Sequence, residues 1–384
     1  MLTLIIFLLV LSVLVFAHEF GHFMTARKFG VRSEEFGFGF PPRAIGWYQN
    51  KSGKWQQVLG NASIESLDNN ENENLQPGKG KTVYSLNWLP LGGFVKIKGQ
   101  DGDGKEDGDS FGAKKIWQRI IILAAGVVMN IILAWFLFSI AYIIGLPQST
   151  DSLGKGAITS NANVVVAEVI SGTAAEKAGL KINDYILEVD GQKVGTEKDL
   201  QDLIAVRGGK EVNLLIERNN IKENLKVFPV SNGGRATMGV AIFSAALVRY
   251  PFLNSFWEGA KTTIFVLGEI FVAFWGLIKS IFAGQNVGDQ FAGPVGIAKI
   301  TGQAARLGIN YLLQFAALLS LNLAVINILP FPALDGGRIF FLLIEKIRNK
   351  PLRKEVEGLI HNIGFFILIA LVLFITYKDI VKLF

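Results

Sequence analysis

The stretch VFAHEFGHF, Val15 to Phe23, places two histidines and a glutamate at the end of an apolar segment. From residue 1 to residue 17 the chain has only two polar side chains, a threonine and a serine. Ionisable groups within hydrocarbon cost about 3 kcal/mol or more each, so in membrane segments they are rare and mark functional sites. The stretch therefore predicts both a membrane helix and a site on that helix.

The composition indicates a membrane protein. Of 384 residues, 50% are apolar, 29 are Phe and only 18% are charged, which is more apolar than a soluble domain usually is. The net charge is +6, but the basic residues lie beside apolar segments, which favours contact with anionic membrane lipids over binding of nucleic acid. Because the chain has no Cys, disulfides and thiolate zinc sites are excluded, and any metal site must use His, carboxylate or amide groups.

Four stretches are long enough to cross a bilayer, at about 20 residues each. They are residues 1–23, 116–146, 311–331 and 357–377. Lys and Arg cluster after the first stretch, before the second and between the last two, and such clusters stay cytoplasmic. The sequence therefore predicts four transmembrane helices, with both termini and residues 147–310 extracytoplasmic. The alternative for residues 1–17 is a cleaved signal peptide, but the segment lacks a basic region at its start.

A fifth apolar stretch, residues 256–282, carries four charged side chains, with Glu269 near its centre. Such a helix is typical of the membrane interface rather than of a span. Span parity agrees, because a fifth crossing would place the end of the 311–331 span at the opposite membrane face from His18. We therefore expect residues 250–310 to form an interfacial region with an amphipathic helix.

Residues 30–113 alternate strand-like segments with turns. EFGFGF (residues 35–40) and TVYSLNW (residues 82–88) each place apolar side chains on one face, as β-strands do. The long polar segment between them predicts a hairpin extension. DGDGKEDGD (residues 101–109) departs from the calcium-loop pattern, because Lys105 and Glu106 stand where a ligand and a turn glycine belong. We expect a β-rich region on the cytoplasmic side.

Residues 150–245 are predicted to form a compact α/β module. Strand-like and helix-like segments alternate from residue 164 to residue 206, and a hairpin is expected over residues 212–230. SGTAAEKAGLKINDYILEVDGQKV (residues 171–194) resembles a PDZ domain of the bacterial protease type. PDZ domains hold an extended peptide beside a sheet edge, so a peptide ligand is expected here. The alternative is a spacer domain that binds nothing.

The segment from His18 to His22 is an HExxH motif. Positions i and i+4 share one helix face, so both imidazoles can reach one zinc ion, while Glu19 can act on a water molecule without binding the metal. A catalytic zinc site needs a third protein ligand. Asp335 is the stronger candidate because it directly follows a span, in LPFPALDGGRI (residues 329–339), whereas His361 is expected to be an interfacial residue.

The third predicted span ends at two prolines, Pro330 and Pro332, which cannot continue a helix. Irregular backbone at membrane depth is tolerated where it lines a cavity. Its exposed backbone N–H and C=O groups can form hydrogen bonds with an unwound substrate. Asn327 in this span could donate to substrate or to a developing oxyanion. Asn322 either contacts substrate or hydrogen-bonds to a neighbouring helix.

Several of these segments together resemble the site-2-type intramembrane zinc metalloproteases, in particular the bacterial regulator of sigma-E protease group. They are HEFGH, SLNLAVINILPFPALDGG (residues 320–337), the PDZ-like module and PLGGFVKIKGQD (residues 90–101), which resembles the membrane-re-entrant β-hairpin of that family. The resemblance extends over nearly the whole chain. Two departures stand out: the chain has room for one PDZ domain rather than two, and its second span reads GVVMN (residues 126–130) where the group often has Gly-Pro before the asparagine.

The resemblance implies specific roles for the site residues. The ligands of Zn²⁺ would be His18, His22 and Asp335, and Glu19 would be the general base. Contact with the substrate would come from Asn327 and Asn322 in the third span and from Gly92 and Gly93 in the hairpin. The implied substrates are single-span membrane proteins already shortened by another protease, such as anti-sigma factors or signal-peptide remnants.

The expected fold class is a multi-span α-helical membrane protein with four transmembrane helices, a re-entrant β-hairpin and one extracytoplasmic PDZ domain. Residues 1–146 and 311–384 would form the two catalytic membrane halves of an intramembrane zinc metalloendopeptidase in a bacterial inner membrane. Two alternatives remain. A non-catalytic PDZ scaffold would bind no metal and would not respond to Glu19→Gln. A zinc transporter or sensor would need more His or acidic ligands along its spans than this chain supplies.

Overall fold

The computed structural model describes residues 2–50, 53–60, 82–100, 107–149, 154–159, 163–218, 221–232, 235–285, 292–350 and 353–381. It divides into two compact units. The first comprises Met1–Phe138, Ala260–Ala305 and Leu312–Phe384, and the second comprises Ser139–Gly259 and Arg306–Tyr311. Most of the predicted hairpin extension and of the acidic loop lies outside the described residues.

The helices of the described chain are, in order, α1 (Leu2–Lys28), α2 (Ile116–Ile144), α3 (Ala174–Lys177), α4 (Glu197–Ala205), α5 (Phe252–Phe282), α6 (Pro294–Leu307), α7 (Ile309–Ile328), α8 (Asp335–Arg348) and α9 (Lys354–Val381). Within the described residues, five helices are long and apolar enough to cross a membrane: α1, α2, α5, α7 and α9. Four of them match the predicted spans. The fifth, α5, is the helix predicted to lie at the interface, so length and composition allow one crossing more than predicted.

The membrane-type helices of the first unit pack through small and apolar side chains. Three residues of α5, Val266, Leu267 and Ile270, lie against a cluster from α2 and α7. Between α1 and α2 the approach is closer still, because a Cβ on Gly21 would lie 2.3 Å from the carbonyl oxygen of Ala125. The glycine of HEFGH therefore allows the two helix backbones to meet beside the histidines.

The first unit also contains a sheet of three strands, β1 (Ser33–Gln49), β2 (Trp55–Leu59) and β3 (Val83–Ile97), in the order β2-β1-β3. Both segments predicted to be strands lie within it, EFGFGF in β1 and TVYSLNW in β3. Residues 33–38 of β1 pair with residues 93–97 of β3 and also with residues 83–86 of the same strand. No other described strand pairs with residues 93–97, so this segment forms an edge of the sheet.

The second unit is built around a larger sheet. Its strands are β4 (Leu146–Ser149), β5 (Ile158–Thr159), β6 (Asn163–Val169), β7 (Tyr185–Val189), β8 (Gln192–Lys193), β9 (Val212–Arg218), β10 (Ile221–Val227) and β13 (Val240–Arg249), while β11 (Val230–Asn232) and β12 (Arg235–Thr237) form a separate pair. The main order is β10-β9-β7-β6-β13-β4. Strands β6 and β7, helices α3 and α4 and the β9–β10 hairpin occur where the sequence predicts them, whereas β13, which pairs with β6 and β4 in this sheet, was not predicted.

The core of this second unit is apolar, with Val166, Ile186 and Leu214 fully buried. The buried carboxylate of Asp184 accepts two hydrogen bonds, at 2.6 and 2.7 Å, from the partly exposed guanidinium of Arg218. This hydrogen bonding raises the pKa of the Arg218 guanidinium above its ordinary value. The module therefore has an apolar core of its own.

Candidate metal centre

Three predicted ligands meet in the first unit, although 317 residues separate the outer two in the chain. The Oδ2 atom of Asp335 lies 3.0 Å from His18 Nε2 and 3.3 Å from His22 Nε2. The two Nε2 atoms lie 3.1 Å apart, and both histidines are buried. Within the described part of the chain, these side chains form a group that could hold a metal ion.

The spacing of the three atoms fits zinc. In a tetrahedral site with bonds of about 2.0–2.1 Å, ligand atoms lie about 3.3 Å from one another. The three separations in this group run from 3.0 to 3.3 Å. Two imidazole nitrogens and one carboxylate are also a ligand set that catalytic zinc takes, with a fourth position left for water or substrate.

Helix α2 orients both imidazoles from behind. The Nδ1 atom of His22 lies 2.9 Å from the carbonyl oxygen of Ile122, to which it can donate, leaving Nε2 free for the metal. The side-chain amide of Asn130 lies 3.3 Å from Nδ1 of His18. The atom nearest the ring is the amide nitrogen Nδ2. A metal on Nε2 would leave the His18 proton on Nδ1, and the Asn130 amide, turned over, would then accept that proton with its oxygen. Asn130 is fully buried, and its backbone carbonyl accepts from Ser320 Oγ at 2.8 Å.

One turn earlier on α2, Gly126 makes room for the imidazoles. A Cβ on Gly126 would lie 2.4 Å from His22 Nε2 and 2.8 Å from His18 Nε2. The segment GVVMN thus presents a glycine and an amide, four residues apart, to the two histidines. In the sequence, this segment stands out only as a departure from the family pattern. The i,i+4 spacing of Gly126 and Asn130 was the signal that could have placed both on one helix face.

The third ligand is presented by an irregular loop, as the two prolines predict. Helix α7 ends at Ile328 and α8 begins at Asp335 itself. Between them, Ala333 has a left-handed backbone with φ of +74°. A Cβ on Gly336 would lie 2.2 Å from the carbonyl oxygens of Ile328 and Leu329. The first glycine of LDGG therefore allows the start of α8 to pack directly on the end of α7.

A cavity of about 230 Å³ opens beside the ligands. It is lined by Val15, His18, Glu19, Asn130, Leu323, Asn327, Ala333, Leu334 and Asp335. Glu19, the predicted base, and Asn327 therefore line the same cavity as the predicted ligands His18 and Asp335. Asn322 does not line this cavity, and its amide donates to the carbonyl oxygen of Leu318 in its own helix at 2.9 Å. His361 is not part of the ligand group.

The two predicted hairpin glycines lie against α1. A Cβ on Gly92 would lie 2.6 Å from Cβ of Val15, and one on Gly93 would lie 3.3 Å from Cβ of Glu19. Ser12 of the same helix accepts from the Gly92 N–H at 3.3 Å and donates to the carbonyl oxygen of Pro90 at 2.9 Å. The start of the sheet edge is therefore fixed next to Glu19.

Comparison with known proteins gives matches over the whole chain. The sequence pattern of peptidase family M50 matches residues 6–61 and 74–371. A putative zinc metalloprotease of Clostridium perfringens is 35% identical over 377 residues, which cover 97% of each chain. The regulator of sigma-W protease RasP of Bacillus subtilis is 32% identical over 436 residues, covering 100% of this chain and 99% of its own.

Among solved structures, the PDZ domain of an SdrC-like protein from Listeria innocua covers 21% of this chain and 92% of its own. It is 25% identical, with a TM-score of 0.19. A likeness at that score carries no conclusion about the second unit, and the PDZ domain stays a prediction from the sequence.

Proposed function

The chain belongs to peptidase family M50, the site-2 proteases, and is a zinc metalloprotease of the membrane; from this premise we propose that it hydrolyses peptide bonds within the transmembrane segments of single-span membrane proteins. The observation that carries the proposal is the meeting of His18, His22 and Asp335 beside a cavity that Glu19 lines. His18 lies far along an apolar helix, so chemistry at this site occurs at membrane depth.

In the proposed site, His18, His22 and Asp335 hold the metal. When bound, zinc supplies Lewis-acid chemistry that polarises the scissile carbonyl and acidifies a water molecule. The Glu19 carboxylate accepts the proton of the attacking water and passes it to the leaving amine. Asn327 faces the same cavity, where its amide can donate to the oxyanion that develops on the substrate carbonyl.

The substrate must present an extended backbone, because a helix hides its amides in its own hydrogen bonds. The edge formed by residues 93–97 offers backbone partners for such a strand. It begins at Gly93, beside Glu19. Near this edge, Trp88 and Leu89 are exposed to 71% and 49% of their surface, as expected for a hairpin whose tip enters lipid. We therefore assign the predicted re-entrant role to residues 83–99.

The proposed topology keeps four spans, with both termini and the PDZ domain outside a bacterial inner membrane. Helices α1 and α7 run in the same direction, since Val10 and Leu14 pack near Ala316 while their far ends carry His18 and lead to Asp335. An even number of reversals must separate parallel helices. If α2 crosses the membrane and α5 lies at the interface, the chain reverses twice between α1 and α7, and the two helices are parallel. If α5 also crossed, a further crossing would be needed before α7 to keep them parallel.

The proposed substrates are membrane proteins first shortened by another protease, such as anti-sigma factors or signal-peptide remnants. A PDZ domain that takes an extended peptide would act on the outer side, before the substrate reaches the site. A non-catalytic scaffold would not require three ligand atoms at the spacing of a zinc site. A transporter would need further ligand groups along the spans, and the described residues contain none.

The test uses the purified full-length chain, its zinc content, and cleavage of a single-span test substrate. Wild type is expected to hold about one zinc ion per chain. Glu19→Gln should keep the zinc but cleave about 1,000-fold more slowly, because the proton acceptor is lost. His22→Ala should lose both zinc and cleavage, and Glu269→Gln is the matched control that should cleave normally. A zinc-free wild type, or normal cleavage by the Glu19 variant, would refute the proposal.

A further inference from the structure

The chain's third histidine, His361, contacts the loop that presents Asp335. It lies on α9, and its Nδ1 atom accepts a hydrogen bond from the backbone N–H of Ala333 at 2.8 Å. Its ring meets the ring of Phe341 in α8 edge-on, with centroids 5.3 Å apart. His361 thus bridges the loop and the helix that begins with the proposed ligand.

The loop needs such a contact because of its backbone. Ala333 has a φ of +74°, a conformation that a residue with a side chain rarely adopts unless its surroundings impose it. Ala333 lies two residues before Asp335, so a change at its φ would turn the carboxylate away from the histidines. An acceptor fixed opposite the Ala333 N–H selects the left-handed conformation over its alternatives.

A second contact on the same face of α9 strengthens this arrangement. Gly364, three residues after His361, lies so close to the loop that a Cβ would be 2.5 Å from Cβ of Pro332 and 2.7 Å from its carbonyl oxygen. Gly358, on the same helix, has no atom within 4 Å of the corresponding position. Helix α9 therefore approaches Pro332 closely at Gly364, whereas the same helix leaves open space at Gly358.

We propose that His361 is a positioning residue, which holds Ala333 in its left-handed conformation and thereby aims Asp335 at the metal. The inference rests on the proposed metal site. Because the Ala333 N–H donates, Nδ1 must carry a lone pair, so the imidazole is neutral with its proton on Nε2. The oxygen of an asparagine side chain can occupy the place of Nδ1, whereas leucine fills the space without an acceptor.

The experiment compares His361→Asn, His361→Leu and His361→Gln in the full-length, detergent-solubilised chain. Zinc affinity is measured by competition with a chelator, and hydrogen exchange is followed over residues 329–334. The leucine variant is expected to bind zinc about tenfold more weakly, as when an orienting partner of a ligand is lost, and its loop should exchange faster. Asparagine should restore both readouts, and Gln should resemble Leu because its amide lies one methylene too far.

Gly364→Ala should behave like the leucine variant, and Gly358→Ala is its matched control.

Wild-type zinc affinity and exchange in the leucine variant would overturn the inference. An asparagine variant as weak as the leucine variant would overturn it too, because the acceptor would then not matter. If the leucine variant fails to fold, the comparison of Asn with Gln decides, and equal affinities of these two refute the inference. Asp335→Ala tests the ligand set separately: if that variant keeps its zinc, the proposed site fails, while exchange in the His361 variants still reports on the loop contact.

Discussion

The two halves of the proposed metal site are held in place by different means. On α1, His18 and His22 lie four residues apart in one continuous helix, so the helix repeat itself aims both imidazoles. Asp335 instead follows a loop with two prolines and a left-handed alanine, and its position depends on contacts from α7, α8 and α9. A ligand pair can thus be encoded locally in one helix, while the ligand that completes the site depends on tertiary packing.

The largest expected effect comes from filling the space at Gly336. Its Cβ would lie 2.2 Å from two backbone carbonyl oxygens, which cannot rotate aside as a side chain can. The strain of such overpacking is about 3 kcal/mol, or a factor of about 100 in affinity. We expect Gly336→Ala to lose that much zinc affinity while α1 stays folded, as measured by chelator competition and circular dichroism.

The matched control for this change is Gly268→Ala in α5, where no atom lies within 4 Å of the added Cβ. That variant should bind zinc as wild type does. Normal zinc affinity in the Gly336 variant would show that the loop carrying Asp335 adjusts freely to the added methyl group. The position of Asp335 would then not depend on tight tertiary packing.

A smaller effect is expected on the helical half, at Asn130. Replacing it with leucine removes the partner of His18 Nδ1 but leaves the helix repeat intact, so zinc should bind about tenfold more weakly. Asn130→Asp should retain wild-type affinity, because a carboxylate also accepts the imidazole proton. Asn322→Leu, which removes an amide that donates to Leu318 in its own helix, is the control for zinc binding. Equal affinities of the leucine and aspartate variants would contradict this role.

The smallest effect concerns the protein without metal. Removal of zinc with a chelator should leave residues 15–23 protected from hydrogen exchange, because helical hydrogen bonds hold them. Residues 329–334 should exchange faster, since Asp335 at the end of the loop would lose its bond to the metal. Mass spectrometry of peptides from both segments provides the measurement. Equal acceleration in the two segments would mean that the helical half also depends on the metal.

The contrast between the halves also explains what could be predicted from the sequence. The HExxH spacing and the apolar spans are local patterns, and the place of Asp335 followed from its position after a span. The spacing of Gly126 and Asn130 indicates that they share a helix face, but the contact of Asn130 with His18 crosses 112 residues, and no local pattern reports which helix that face meets. Likewise, an alanine gives no signal of a left-handed backbone, so the contact of His361 with Ala333 could not be foreseen. The length of α5 shows a further limit, since composition alone separates a span from an interfacial helix poorly.

The contact between Gly93 and Glu19 has a consequence for how the enzyme would choose a bond. The edge that starts at Gly93 advances by about 3.3 Å per residue, so the four residues that follow extend about 13 Å along the strand beyond Gly93. A substrate strand paired along this edge would be cut at a distance counted from the hairpin, whatever side chains flank the bond. Selection would then act on where a membrane helix can unwind, and the sequence around the cut would be free to vary.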